Sequence, residues 1–341
     1  MTPRFDLDRA AGSELGAAHV AGHPSRRLMV ILRAPGCAYA RATGGCTNCG
    51  FHHLTTGGEP VPAARLVTQL RGALAAHANE LHTVEQLDLY CSGSFFCPSE
   101  IPADAQEELL AVAAAVPSVR VVLVESRPEY VTADALAKAS AALARGVGSA
   151  RREVTLEVAI GLESRDDEIR EQRIRKGFSI LDFEHAVEKL VAAGAHLVVY
   201  LLLKPLGTKD GEALADVDRS GLYLHTLREF FRLYRETELH VRVALEPVFV
   251  AEGTPLHDEL RAGRYRPPSL WTAVHAARML GERLPVHVGL SSEGLPAETV
   301  PRGCDSCTPA LRRALARFNE TQDRQALEGL SCEACGRSTS G

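Results

Sequence analysis

Six times along this 341-residue chain, a short run rich in Val, Leu and Ile gives way to a longer stretch with helical periodicity, and few folds accommodate that alternation. The strand-like runs are Leu28–Arg33, Leu87–Tyr90, Val119–Glu125, Val154–Ile160, His196–Lys204 and Val241–Glu246, with a weaker one at Val286–Leu290. Helix-like stretches cover Val61–Asn79, Ala103–Val116, Ala133–Arg145, Leu181–Ala193, Leu222–Thr237 and Ser269–Leu284. Alternation of this kind predicts a parallel sheet with right-handed crossovers, and nearly continuous apolar strands fit a sheet buried on both faces. A full eight-fold barrel needs more units than the chain supplies. The expected class is therefore α/β, a partial (β/α)6 TIM-like barrel. A hydrophobic content of 45% is enough for one large core. The expected organisation is an N-terminal extension over residues 1–25, the barrel over 26–300, and a small C-terminal element over 301–341, where cysteine pairs and a basic helix change the character of the sequence.

Nine cysteines carry most of the remaining information. Cys37, Cys46 and Cys49 follow the first strand in the run ILRAPGCAYARATGGCTNCGFHH, spaced C-x8-C-x2-C. Three thiolates on an iron–sulfur cluster leave one iron with an open coordination position, where a ligand can be activated. A three-cysteine zinc site completed by His52 or His53 is the alternative, and it leaves the later strand ends unexplained. Cys304-x2-Cys307 and Cys332-x2-Cys335 form two knuckles separated by 24 residues. Four thiolates so spaced suit tetrahedral Zn²⁺ in a C-terminal four-cysteine metal-binding element, and an auxiliary iron–sulfur cluster would use the same ligands. Cys91, at a strand end, reads as a buried apolar thiol.

In a parallel barrel the active site is built from the C-terminal strand ends and the loops after them. Here the first strand leads to Cys37 and the second to Cys91-Ser92-Gly93-Ser94. The third leads to Glu125-Ser126-Arg127-Pro128-Glu129, the fourth to Gly161-Leu162-Glu163-Ser164, the fifth to Lys204-Pro205 and the sixth to Glu246-Pro247. A single charged residue at a strand end is ordinarily a solvated end; convergence of six such ends is what points to chemistry. Lys204 and Glu246 are the candidate catalytic residues for moving a proton to or from a substrate, with a salt bridge between them as the plain alternative.

The balance of 38 basic and 43 acidic residues, net −5, leaves no global excess with which to neutralise phosphates. Nucleic acid as a partner would need a local patch, and the dense basic stretches, Arg170–Lys176 and Arg312–Arg317, are short. The N-terminus is acidic and lacks the apolar segment of a signal peptide, and the longest apolar run, Leu197–Leu203, is too short to span a bilayer. With abundant thiols this predicts a cytoplasmic protein without a membrane association.

Taken in order, the cysteine loop LRAPGCAYARATGGCTNCGF, the turn CSGSFF, then ESRPEY, IGLES, YLLLKP and the paired tail cysteines resemble the radical SAM superfamily over roughly residues 26–340. Within it they are similar to the group that contains the archaeosine-forming proteins and the aminoglycoside-modifying diol dehydratases. The resemblance implies that Cys37, Cys46 and Cys49 hold a [4Fe–4S] cluster whose fourth iron takes S-adenosylmethionine (SAM). Reductive cleavage of SAM then yields a 5′-deoxyadenosyl radical that abstracts a substrate hydrogen. It also implies that Ser92, Gly93 and Ser94 face the SAM amine, and that Glu125, Arg127, Glu163 and Arg175 line the cofactor. Such a set suits a zwitterion, because the Arg fork matches a carboxylate. A one-electron reductase such as flavodoxin or ferredoxin is an implied partner. Two departures from the superfamily are visible: the usual spacing is C-x3-C-x2-C, and Asn48 stands where many members place an aromatic, a task left to Tyr39 or Phe51. The implied substrate is small, polar and amine-bearing, such as an aminoglycoside-type sugar undergoing 1,2-diol dehydration; the alternative is a modified deazaguanine base in tRNA.

Overall fold

The computed structural model describes residues 5–149, 152–292 and 297–339. The described chain opens with a hairpin in which β1 (Gly12–Val20) and β2 (His23–Ile31) pair antiparallel, from Gly12 opposite Ile31 to Val20 opposite His23. The reversal falls on Ala21 and Gly22, with φ of 49° and 83°, as a two-residue hairpin turn with both centres left-handed requires. Residues 12–20 lie within the predicted extension, yet they form a strand. Only Ala18 and Val20 of β1 are buried, so no apolar run marks it in the sequence.

The α/β series follows: α1 (Ala38–Thr43), α2 (Ala63–Ala76), β3 (Val84–Tyr90), α3 (Ala103–Ala114), β4 (Val121–Glu125), α4 (Ala133–Val147), β5 (Thr155–Glu163), α5 (Ile180–Ala192), β6 (His196–Leu203), α6 (Asp210–Tyr234) and β7 (Val241–Pro247). After these come β8 (Val250–Ala251), α7 (Pro255–Arg261), α8 (Leu270–Leu280), β9 (Val286–Val288), β10 (Ala297–Thr299), α9 (Thr308–Thr321), β11 (Ser331–Cys332) and β12 (Arg337–Ser338). The main sheet runs in the order β1-β2-β3-β4-β5-β6-β7-β9, the sequential order of a partial barrel. Its β2–β3, β3–β4, β4–β5 and β7–β9 pairs are parallel. Helix α6 starts twelve residues before the predicted Leu222. Its first half is too polar to show apolar periodicity, but Asp210 and Glu212 in the first turn complement the helix dipole. A π-helical segment, Glu168–Ile174, lies in the loop after β5 and is invisible to periodicity.

Contact density divides the chain into two compact units: Met1–Gly45, Phe51–Ile160 and Leu181–Leu197 in the first, and Cys46–Gly50, Gly161–Ile180 and Val198–Gly341 in the second. In the first, Leu28, Val30, Leu87, Leu89, Val122 and Val124 are fully buried. Helices α3 and α4 approach closely at Gly146, where a Cβ would collide with the Ala111 carbonyl oxygen. In the second, Gly221 of α6 does the same for α8, where a Cβ would collide with Leu280 Cδ2. The free edge of β9 is closed by side chains. Asn319 Oδ1 and Nδ2 of α9 each bond the Val288 backbone at 2.8 Å, and the Gln322 amide, one residue past α9, accepts from Val286 N–H at 3.0 Å and donates to its carbonyl at 2.8 Å. Among the described residues no helix is long and apolar enough to cross a membrane.

Candidate functional site

In the first unit, Cys37 immediately precedes α1 and lies after β2. The turn after β3 is tightly built. Ser92 takes a left-handed φ of 57°, and a Cβ on Gly93 would collide with Glu100 Oε2 and fall 3.0 Å from the Cys37 backbone. Only glycine allows that approach. Ser94 Oγ accepts the Arg127 N–H at 3.1 Å, and Phe95 N–H donates to the Glu125 carbonyl at 2.7 Å, so the loops after β3 and β4 are joined. Arg127 is largely buried, pairs with Glu129 at 2.6 Å and lies 4.1 Å over the Tyr39 ring. Tyr39, a candidate adenine partner, thus carries a guanidinium on one face. Cys91 is fully buried and its thiol is pushed well up by burial, as expected of an apolar thiol.

The sequence gives no hint of Glu100, because an isolated acid in a polar turn reads as solvated. Here it is 1% exposed, and its Oε1 accepts the Ala38 N–H at 2.8 Å while Oε2 accepts the Ser94 N–H at 2.5 Å.

In the second unit, Thr47 holds the Cys46–Cys49 turn: its N–H donates to the Ile174 carbonyl at 2.9 Å and its Oγ1 to that of Arg173 at 2.8 Å. Cys46 packs on an apolar cluster that includes Ile174, Leu202, Val248 and Tyr265. Glu163 (φ 65°) pairs with Lys176 at 2.6 Å, a partner the sequence assigns instead to a basic stretch. Gly161 makes room for that pair, since a Cβ there would fall 2.5 Å from Lys176 Nζ. Arg175 adopts φ 61° and Lys204 φ 68°. Lys204 pairs with Asp210 at 2.6 Å, where the plain alternative to a catalytic role has it pair with Glu246, while Tyr265 donates its hydroxyl to the Lys204 carbonyl at 2.6 Å. The Glu246 carboxylate lies against the Cα of Gly289, where a Cβ would collide with its Oε2.

The basic stretch Arg170–Lys176 is not a patch open to phosphates. Arg170 is 1% exposed and donates to the Phe178 carbonyl at 3.1 Å, and Arg173 pairs with Glu168 and Glu212.

Backbone strain and an orphaned polar atom coincide at Ser92. Among the described residues, four of the seven non-glycine residues with positive φ are Ser92, Glu163, Arg175 and Lys204, all sequence candidates. Each costs about 1–2 kcal/mol, the kind of strain that concentrates at functional sites. Ser92 Oγ and Asn48 Oδ1 are buried with no hydrogen-bond partner among the described residues. Such atoms are expensive unless a ligand satisfies them. Each is adjacent in sequence to a predicted cluster or SAM residue, so the donor set fits those cofactors.

The tail cysteines converge. The sulfurs of Cys304, Cys307, Cys332 and Cys335 all lie within 4.8 Å of one another, with Cys304–Cys307 at 3.4 Å and Cys304–Cys332 at 3.5 Å. Tetrahedral thiolates about 2.3 Å from a zinc ion stand about 3.8 Å apart, so the cage has the right size. The Cys307 backbone N–H pulls the Cys304 thiol down to about 6, while burial pushes the thiols of Cys307 and Cys335 up, the latter to about 11.

No family model matches the chain. Archaeosine synthase subunit beta of Methanosarcina acetivorans is 30% identical over 325 residues, covering 95% of this chain and 87% of that protein. The protein of the same name from Thermococcus kodakarensis is 26% identical over 328 residues, covering 94% and 92%. Among solved structures, Elp3 of Methanocaldococcus infernus superposes with a TM-score of 0.51 at 16% identity, over 74% of this chain and 59% of its own. A radical SAM methyltransferase from Sphaerobacter thermophilus gives 0.50 at 15% identity, over 84% and 77%. The likeness to both structures is one of fold.

Proposed function

Because the chain belongs to the archaeosine synthase subunit beta family of the radical SAM superfamily, we propose that it cleaves SAM reductively and abstracts hydrogen from a modified deazaguanine base in tRNA. The observation that carries this reading is the 30% identity sustained across 95% of the chain. Cys37, Cys46 and Cys49 would hold the [4Fe–4S] cluster. Bound there, the cluster supplies SAM with the electron that releases the 5′-deoxyadenosyl radical.

The chain's own residues orient and enclose. Ser92 offers its unpartnered hydroxyl to the SAM ammonium, and the strained turn around it keeps that hydroxyl from finding a protein partner instead. Arg127 offers a fork to the SAM carboxylate, and Tyr39 stiffens it from below. Glu125, Glu163 and Arg175 complete the cofactor contacts, with Lys176 holding Glu163. Lys204 and Glu246 are left for the substrate, where Lys204, held by its ion pair with Asp210, can pass a proton to a heteroatom next to the radical carbon. Cys304, Cys307, Cys332 and Cys335 hold zinc and staple the C-terminal element of residues 301–341, which follows the barrel of residues 26–300 in sequence. A flavodoxin or ferredoxin supplies the electron, and the relatives' designation as a subunit supports a further polypeptide partner.

Dehydration of an aminosugar diol draws its support from the motif resemblance and from the net charge of −5. With the anaerobically reconstituted protein, dithionite and SAM, 5′-deoxyadenosine should rise when deazaguanine-bearing tRNA is added and stay at background with a panel of aminosugars. The reverse pattern would remove the tRNA reading, and no SAM cleavage under any condition would remove the enzyme.

A further inference from the structure

We propose that Glu100 is a positioning residue that locks the Cys37 loop to the Ser92–Ser94 turn, and so sets a cluster ligand and the SAM-amine turn at a fixed spacing. This rests on the cofactor assignment above.

The geometry is that of a two-armed acceptor. One carboxylate oxygen takes the N–H of Ala38, the residue after Cys37; the other takes the N–H of Ser94. Ser94 in turn accepts the Arg127 N–H, so Glu100 stands at the head of a relay joining the loops after β2, β3 and β4. Glycine at 93 lets the carboxylate reach this place. A carboxylate that is 1% exposed is a costly way to fill space, since burial disfavours its charge and pushes its carboxyl up. An apolar side chain would pack there at less cost but would leave two buried N–H groups without acceptors. Neutral acceptors serve one N–H well; a carboxylate serves two, each by a charge-assisted bond.

The test compares the parent with Glu100→Gln and Glu100→Ala. Glutamine keeps the shape and one acceptor but turns an NH2 group toward the second N–H. In the cluster-free protein, amide exchange at Ala38 and Ser94 should be slow in the parent and about tenfold or more faster in Glu100→Gln, with exchange elsewhere unchanged. After anaerobic reconstitution, Glu100→Gln should retain parental iron and sulfide and bind SAM about tenfold more weakly by equilibrium dialysis. Parental exchange at both amides in both variants would overturn the proposal, and so would acceleration spread over the whole first unit in Glu100→Gln. The exchange measurement needs no cofactor. If the parent fails to bind SAM, the cofactor assignment falls while the exchange data still decide the clamp.

Discussion

Ser164 Oγ donates a 2.8 Å hydrogen bond to Asp216 Oδ1, and the other oxygen of that carboxylate is buried with no partner among the described residues. The pair ties the end of β5 to α6, and Ser164 also accepts the Asp166 N–H at 3.0 Å. Asp216 is 1% exposed. Arg219 at 3.7 Å, with Asp166 and Glu212, are the charges it faces. Burial pushes its carboxyl up to about 6.

A carboxyl raised in the folded state makes folding take up a proton between about pH 4 and 6. The stability that comes from the neutral form is complete below about pH 4 and is lost as pH rises through 6, by about 3 kcal/mol in all. Asp216→Asn should flatten that slope and raise stability above about pH 7, as read by urea unfolding at about pH 5 and 7.5. An unchanged slope would show that Asp216 does not titrate as its burial demands.

Lys204 is strained and paired at a strand end. Lys204→Gln should lower substrate-dependent 5′-deoxyadenosine formation by about a hundredfold, the usual worth of a general acid, while SAM binding stays within about twofold. Equal loss of both would place Lys204 in cofactor binding instead.

Zinc at the tail sulfurs predicts a metal content that separates from the iron. Cys332→Ser should lose about one zinc per chain by elemental analysis and keep the iron and sulfide of the reconstituted parent. Iron lost from the tail, with no zinc in the parent, would identify an auxiliary cluster.

Asn319→Leu should cost about 2–3 kcal/mol in urea unfolding, because it strips both backbone groups of Val288 of their partners in a buried setting. A loss under about 0.5 kcal/mol would mean that water replaces the amide there.

The strands were legible because runs such as Leu197–Leu203 are apolar on both faces, whereas β1 buries too little to be seen. Ser92, Glu163, Arg175 and Lys204 could be picked out as strand-end and loop positions in recognisable motifs, and their backbone strain is an independent mark. Glu100 and Asp216 could not. A lone acid in a turn or on a helix is ordinarily hydrated, and what sets these two apart is burial, which depends on chain segments far away in sequence. Lys176 was hidden for the opposite reason: beside Arg173 and Arg175 it looks like part of a basic face, and only the fold gives it Glu163.

The amides of Asn319 and Gln322 take the place of a ninth strand, but with a different tolerance. A strand would lock β9 through a register. Two side chains, one on α9 and one just after it, need only that the helix keep its rotation, and its first residue directly follows Cys307 in the sulfur cage. The cage therefore acts on the sheet as a set-screw acts on a shaft. Loosening it would free the helix to roll and bare the backbone of Val286 and Val288 to any passing strand, so that, with zinc in the cage as proposed, stripping it would be felt first as self-association of intact molecules, ahead of unfolding.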